Sequence, residues 1–249
     1  MKKNAMLKIA AILMVAVLLT TCAISSTFAK YTTSDKDAAT ARVAKFGVDV
    51  TVGLEDLFKT NYDGTVDSND TGLDVQFDSK VGDPSKISVS DVVAPGTKTE
   101  AYATISATGT PEVDVKITYS AKVNLVNWSY DKDGSDTEYC PLVFTVNGKE
   151  LKVNGTDLNG DTIADVEALE TAIEEAVAAK IVNVEANTDL STKLQEKEGE
   201  AFKYNLEIGW SWAFESGHDV EDTALGDNAA TGTPAGVYIQ ISAEITQVD

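Results

Sequence analysis

The sequence predicts a mainly β protein, an antiparallel β-sandwich carrying one inserted amphipathic helix at about residues 161–181. Three observations carry that expectation. Apolar and polar residues alternate with period two in run after run, Gly, Pro and Asn residues punctuate the runs, and no strand–helix–strand rhythm of a parallel sheet is present. At 249 residues, 43% hydrophobic and 24% charged, the chain is long enough and apolar enough to bury a sizeable core.

The elements follow in order. Phe46, Val48, Val50 and Val52 alternate with polar partners, as a half-buried strand requires. Residues 54–92 are rich in Asp, Ser and Gly and read as a long polar loop with short edge strands. Ala101, Ala103, Ile105 and Ala107 form the next strand, and Val113 to Leu125 a long one with seven alternating apolar positions. Leu142, Phe144 and Val146 lead into Asn147-Gly148, and Leu151 and Val153 into Asn154-Gly155. Asn-Gly between β-like runs is a strong hairpin signal, because both turn positions take positive φ. Phe202 to Phe214 carries the heaviest aromatic face, and Val237 to Ile245 closes the sheet pattern. Between Asp161 and Ile181, Ile163, Val166, Leu169, Ile173 and Val177 recur at spacings of three and four. That is the stripe of an amphipathic helix, capped by Asp161 or Thr162.

The first 29 residues read as a signal peptide. Lys2, Lys3 and Lys8 make a basic front end, and Ile9–Leu19 is an unbroken apolar run of eleven residues. At about 1.5 Å per residue this run is too short to span a bilayer and fits a signal-peptide core. Ala29 is the expected last residue removed, so the membrane is met only before cleavage. Residues 30–45 then form the mature N-terminal segment and 46–249 a single domain. Cleavage removes three lysines and no acid, taking the net charge from −20 to −23.

This acidity excludes nucleic-acid partners, which need clustered Lys and Arg. One histidine, His218, leaves no two-His zinc site, and no HExxH, GxSxG, P-loop or dinucleotide motif occurs. The expectation is therefore a protein that is not an enzyme. Cys140 is alone once Cys22 departs with the signal, so no internal disulfide forms and Cys140 reads as a small buried hydrophobe. Two acidic stretches are calcium candidates. Asp131, Asp133, Asp136 and Glu138 cluster within eight residues, and Asp157, Asn159 and Asp161 mimic the start of a calcium loop without its Gly or its bidentate acid. No other cofactor is expected. Trp210, Trp212 and Phe214, with Tyr204, could stack sugars, but the same spacing is what a core strand needs.

At the junction the residues resemble a known family. Thr27-Phe28-Ala29-Lys30-Tyr31, followed by Gly47-Val48-Asp49-Val50, is similar to the cleavage region and first strand of the TasA/camelysin family of Gram-positive bacteria. Looser echoes are Pro95-Gly96 and Trp210-x-Trp212-x-Phe214-Glu215 followed by Asp222–Gly226. The resemblance implies recognition of Thr27, Phe28, Ala29, Lys30 and Tyr31 by a SipW-type signal peptidase. It also implies a jelly-roll-like sandwich exported to the extracellular matrix or cell surface. There the chain would be a subunit of biofilm matrix fibres, its partner another copy or a related fibre subunit. About Lys30–Val43 would act as a strand donated to a neighbour. The alternative is an exported calcium- or glycan-binding module. A surface metalloprotease, an activity described for some camelysin-type relatives, has no support in a one-histidine chain.

Overall fold

A computed structural model describes residues 33–34, 41–43, 47–54, 57–58, 92–99, 103–193, 204–214 and 217–248. Those from Thr33 onward belong to one compact unit. The alternating runs become strands whose inward residues form a single hydrophobic core. In chain order these are β1 (Thr33–Ser34), β2 (Ala41–Val43), β3 (Val48–Val52), β4 (Ala103–Gly109), β5 (Val115–Val126), β6 (Ser129–Lys132), β7 (Ser135–Glu138), β8 (Leu142–Val146) and β9 (Lys149–Leu151). Helix α1 (Val166–Ala178), β10 (Ile181–Val184), the single turn α2 (Leu190–Lys193), β11 (Asn205–Trp212), α3 (Asp219–Ala230) and β12 (Gly236–Gln247) follow.

One sheet has the order β1-β12-β5-β10 and the other β2-β3-β4-β11-β8-β9, with every pairing antiparallel; β6 and β7 form a separate hairpin. β5 and β12 are the spine of the smaller sheet, paired over all twelve residues from Val115↔Gln247 to Val126↔Gly236. β11 is central in the larger one, flanked by β4 and β8. Its Leu206, Ile208, Trp210 and Trp212 are all buried. A run of large apolar side chains on one face of a central strand removes a large area from water, and that burial drives closure.

Local chemistry decides where the elements begin and end. Asn147 and Gly148 both have positive φ, 47° and 80°, and connect β8 to β9 as a two-residue hairpin. The second Asn-Gly does not. Asn154 alone is left-handed, and Gly155 donates its N–H to Lys152 O in a turn that ends pairing after β9. The helix is also shorter than its apolar stripe. Asp165, not Asp161 or Thr162, is the cap, accepting the Ala168 N–H at 2.7 Å. Ile163 belongs to the preceding loop, where its backbone bonds to Asn154 and Gly155, and Ile181 already starts β10. A stripe at helical spacing can thus extend into flanking segments: Ile163 enters the same core, while Ile181 is exposed.

Two glycines in the first strand pair are required. A Cβ on Gly109 (φ 103°) would lie 2.0 Å from Gly47 O, and one on Gly47 (φ 61°) would lie 2.7 Å from Thr110 O. The Gly of the Gly47-Val48-Asp49-Val50 stretch is therefore a matter of backbone approach.

Candidate functional site

The N-terminal segment meets the body of the protein at one side of both sheets. β1 pairs with β12 through Thr33↔Ile245 and Ser34↔Glu244. β2 pairs with β3 through Ala41↔Val50, Arg42↔Asp49 and Val43↔Val48. One short segment thus adds two residues to the edge of the smaller sheet and three to the edge of the larger. The strand that receives β2 is the Gly47-Val48-Asp49-Val50 stretch, and the register sets the basic Arg42 opposite the acidic Asp49. β1 covers two of the twelve residues of β12, whose Val237 and Ile239 are only partly buried where Ile241, Ala243 and Ile245 are fully so.

The far side of the sheets is closed differently. β9 is three residues long and bears Lys149 and Glu150. β10 is four residues long and pairs only with Val115–Thr118 of β5. Short and charged strands are the usual protection of an edge against unwanted pairing.

The expected signal-peptidase residues Thr27, Phe28, Ala29, Lys30 and Tyr31 lie outside the described residues, as do residues 59–91 of the long polar loop. The four calcium candidates lie in a hairpin instead of a loop. Asp131 Oδ1 accepts the Gly134 N–H at 2.7 Å and stabilises the turn, in which Asp133 takes a positive φ. Asp136 stands opposite Asp131 in register. Glu138 Oε1 accepts the Val166 N–H at 2.6 Å, at the first residue of α1. A carboxylate there satisfies a helix N–H that has no partner within the helix and meets the positive end of the dipole. In the second acidic stretch Asp157 Oδ1 accepts from Asn159 N and Asp161 N at 2.8 and 2.9 Å. Desolvation acts upward on its pKa, but the N–H groups of Asp161, Asn159 and Gly160 and the Asn159 side chain together outweigh it and hold the carboxyl below its ordinary value. Among the described residues no three His, Cys, Asp or Glu side chains converge as metal ligands.

The aromatic face is core. Trp210 and Trp212 are 3% and 5% exposed, and Trp210 Nε1 donates to Leu57 O at 2.7 Å. Phe214 departs from the expected face: it lies beyond the strand end, 70% exposed, its ring against the backbone of Gly96. Leu57, 1% exposed within a stretch that reads as polar loop, is a core residue missed by sequence reasoning, as are Trp128 and Leu190. The only signal of Leu57 was an apolar Leu-x-x-Leu-Phe in acidic surroundings. Cys140 is buried and free, and its burial pushes the thiol pKa up to about 12, as an inert core thiol requires.

His218 precedes α3, about half exposed. Its Nδ1 is 3.7 Å from Glu221 Oε2 and its ring centroid 5.5 Å from that of Tyr139. Around it Tyr139 Oη donates to Asp222 at 2.7 Å, Tyr130 Oη to Glu221 at 3.4 Å, and Asn228 Nδ2 to Ser129 O at 3.1 Å. These contacts dock a polar helix on the β6–β7 hairpin and gather no nucleophile with a base.

Among the described residues no helix is long and apolar enough to cross a membrane. No protein-family model, curated protein or solved structure matches the chain.

Proposed function

We propose that this chain is a secreted structural protein of TasA/camelysin type, a subunit of extracellular biofilm matrix or cell-surface fibres with a jelly-roll-like sandwich. It polymerises when residues 30–45 of one copy add to the sheet edges of the next. The observation that carries this reading is the double, short edge pairing of β1 and β2. A strand held by so few residue pairs exchanges readily, since the same register is available on a neighbouring copy. A head-to-tail contact that does not close then propagates as a filament.

Charge supports the same exchange. Lys30, Lys36, Arg42 and Lys45 outnumber Asp35 and Asp37 by two, whereas the rest of the exported chain, with 38 acids and 13 bases, carries −25. A basic segment on an acidic body is attracted to the next body, and salt weakens that attraction.

The test is removal of Lys30–Val43. Residues 44–249 are expected to stay folded and monomeric, and a synthetic Lys30–Val43 peptide to bind them. Fibres formed by the shortened chain would overturn the donated-strand mechanism.

A further inference from the structure

β5 is twelve residues long, yet β10 pairs with only its first four, Val115–Thr118. Beyond Thr118 the neighbour is α1, which immediately precedes β10. Residues 166–184 therefore run antiparallel to β5 along one side, first as helix and then as strand. Two carboxylates of the helix occupy the place a strand would take. Glu174 Oε1 accepts the Val123 N–H at 2.8 Å, and Glu170 Oε1 accepts the Leu125 N–H at 2.6 Å. The spacing matches: four helical residues rise about 6 Å and two strand residues about 6.7 Å. An i, i+4 pair of glutamates thus follows alternate N–H groups of the strand, while Val166, Leu169, Ile173 and Val177 on the adjoining helix face enter the core.

We propose that α1 is a strand mimic that seals this edge, and that Glu170 and Glu174 block addition of an extended strand from a second copy there. The consequence is directional. Among the described residues, the β5 side of the smaller sheet is closed by β10 and then by α1, whereas the β12 side is covered only by the two-residue β1. Strand addition is thereby confined to one side, and branching through β5 is prevented. Carboxylates suit the task because a charged acceptor binds an N–H about twice as strongly as a neutral one and offers nothing to a strand's C=O groups. The inference does not depend on fibre formation, and its readout requires none.

The test uses residues 30–249 with E170A/E174A and E170Q/E174Q, followed by amide hydrogen exchange and sedimentation velocity at neutral pH and low concentration, where mutual charge repulsion keeps the parent monomeric. In the alanine pair, exchange at Val123 and Leu125 is expected to accelerate about tenfold or more. The Ile208–Val146 pairing should be unchanged, and the chain should self-associate where the parent is monomeric. The glutamine pair keeps an oxygen acceptor and the fold. It is expected to accelerate the same two amides several-fold and to stay monomeric. Unchanged protection at Val123 and Leu125 in either variant would overturn the proposal. So would deprotection spread over the whole sheet, or an alanine pair that loses protection there and remains monomeric.

Discussion

The Tyr139 hydroxyl donates to Asp222 Oδ1 at 2.7 Å, tying the strand end beside Cys140 to the first turn of α3. That helix has no apolar stripe, and Leu225 is its one buried residue. A helix polar on nearly every face owes its place to such bonds and not to core burial. Tyr139→Phe is therefore expected to cost about 1 kcal/mol and to loosen α3 selectively. Amide exchange across 219–230 is the check, with β5–β12 exchange as the unchanged reference.

Tyr119 presents the opposite case. Its ring is 3% exposed in β5, its hydroxyl has no hydrogen-bond partner among the described residues, and burial drives its pKa well above the ordinary phenolic value. Removing an unsatisfied buried hydroxyl removes a desolvation cost without breaking a bond. Tyr119→Phe is expected to be neutral or to raise stability by about 1 kcal/mol, measured by urea unfolding; a loss of more than that would reveal a bonded hydroxyl.

Gly109 tolerates no side chain. Gly109→Ala combines a left-handed backbone with a Cβ placed 2.0 Å from Gly47 O, so the β3–β4 pair must separate. The expected loss is about 3 kcal/mol or more, with a large fall in Tm.

Acid acts on Asp157 in a defined direction. The folded carboxyl titrates below its unfolded value, so its contribution is complete above the unfolded pKa of about 3.9 and is lost as pH falls through the folded one. Asp157→Asn is expected to lower Tm at pH 6 and to converge with the parent at the acid end. A Tm difference that does not shrink with acidification would contradict this.

Much of the sheet was readable because its strands bury one face and so alternate: Val113–Leu125 became β5, and Val237–Ile245 became β12. The β6–β7 hairpin and α3 were not, because neither has an apolar pattern of its own. Ser129–Lys132 and Ser135–Glu138 are polar, and their order comes from a left-handed Asp133-Gly134 turn and from contact with α3. The four acids of the hairpin cluster in sequence, and the backbone N–H groups that two of them take up could not be read from it. In space Glu138 turns to the start of α1, while Asp131 binds its own turn. β10 was hidden at the end of the helical stripe: Ile181 fits the helical spacing but is exposed, and the inward residues of the strand are Val182 and Val184. The pairing of β1 and β2 with edges of their own chain follows no periodicity in Lys30–Lys45; the resemblance of the junction implied a strand donated to a neighbour.

Electron microscopy of purified residues 30–249, concentrated at neutral and at mildly acidic pH, tests the account most directly. At −23 the copies repel one another, and carboxylate protonation relaxes that repulsion. Regular, unbranched fibres that increase on acidification are the expected result, and they should vanish when Lys30–Val43 is removed. Monomers at both pH values, with the N-terminal segment intact, would contradict a self-assembling fibre subunit.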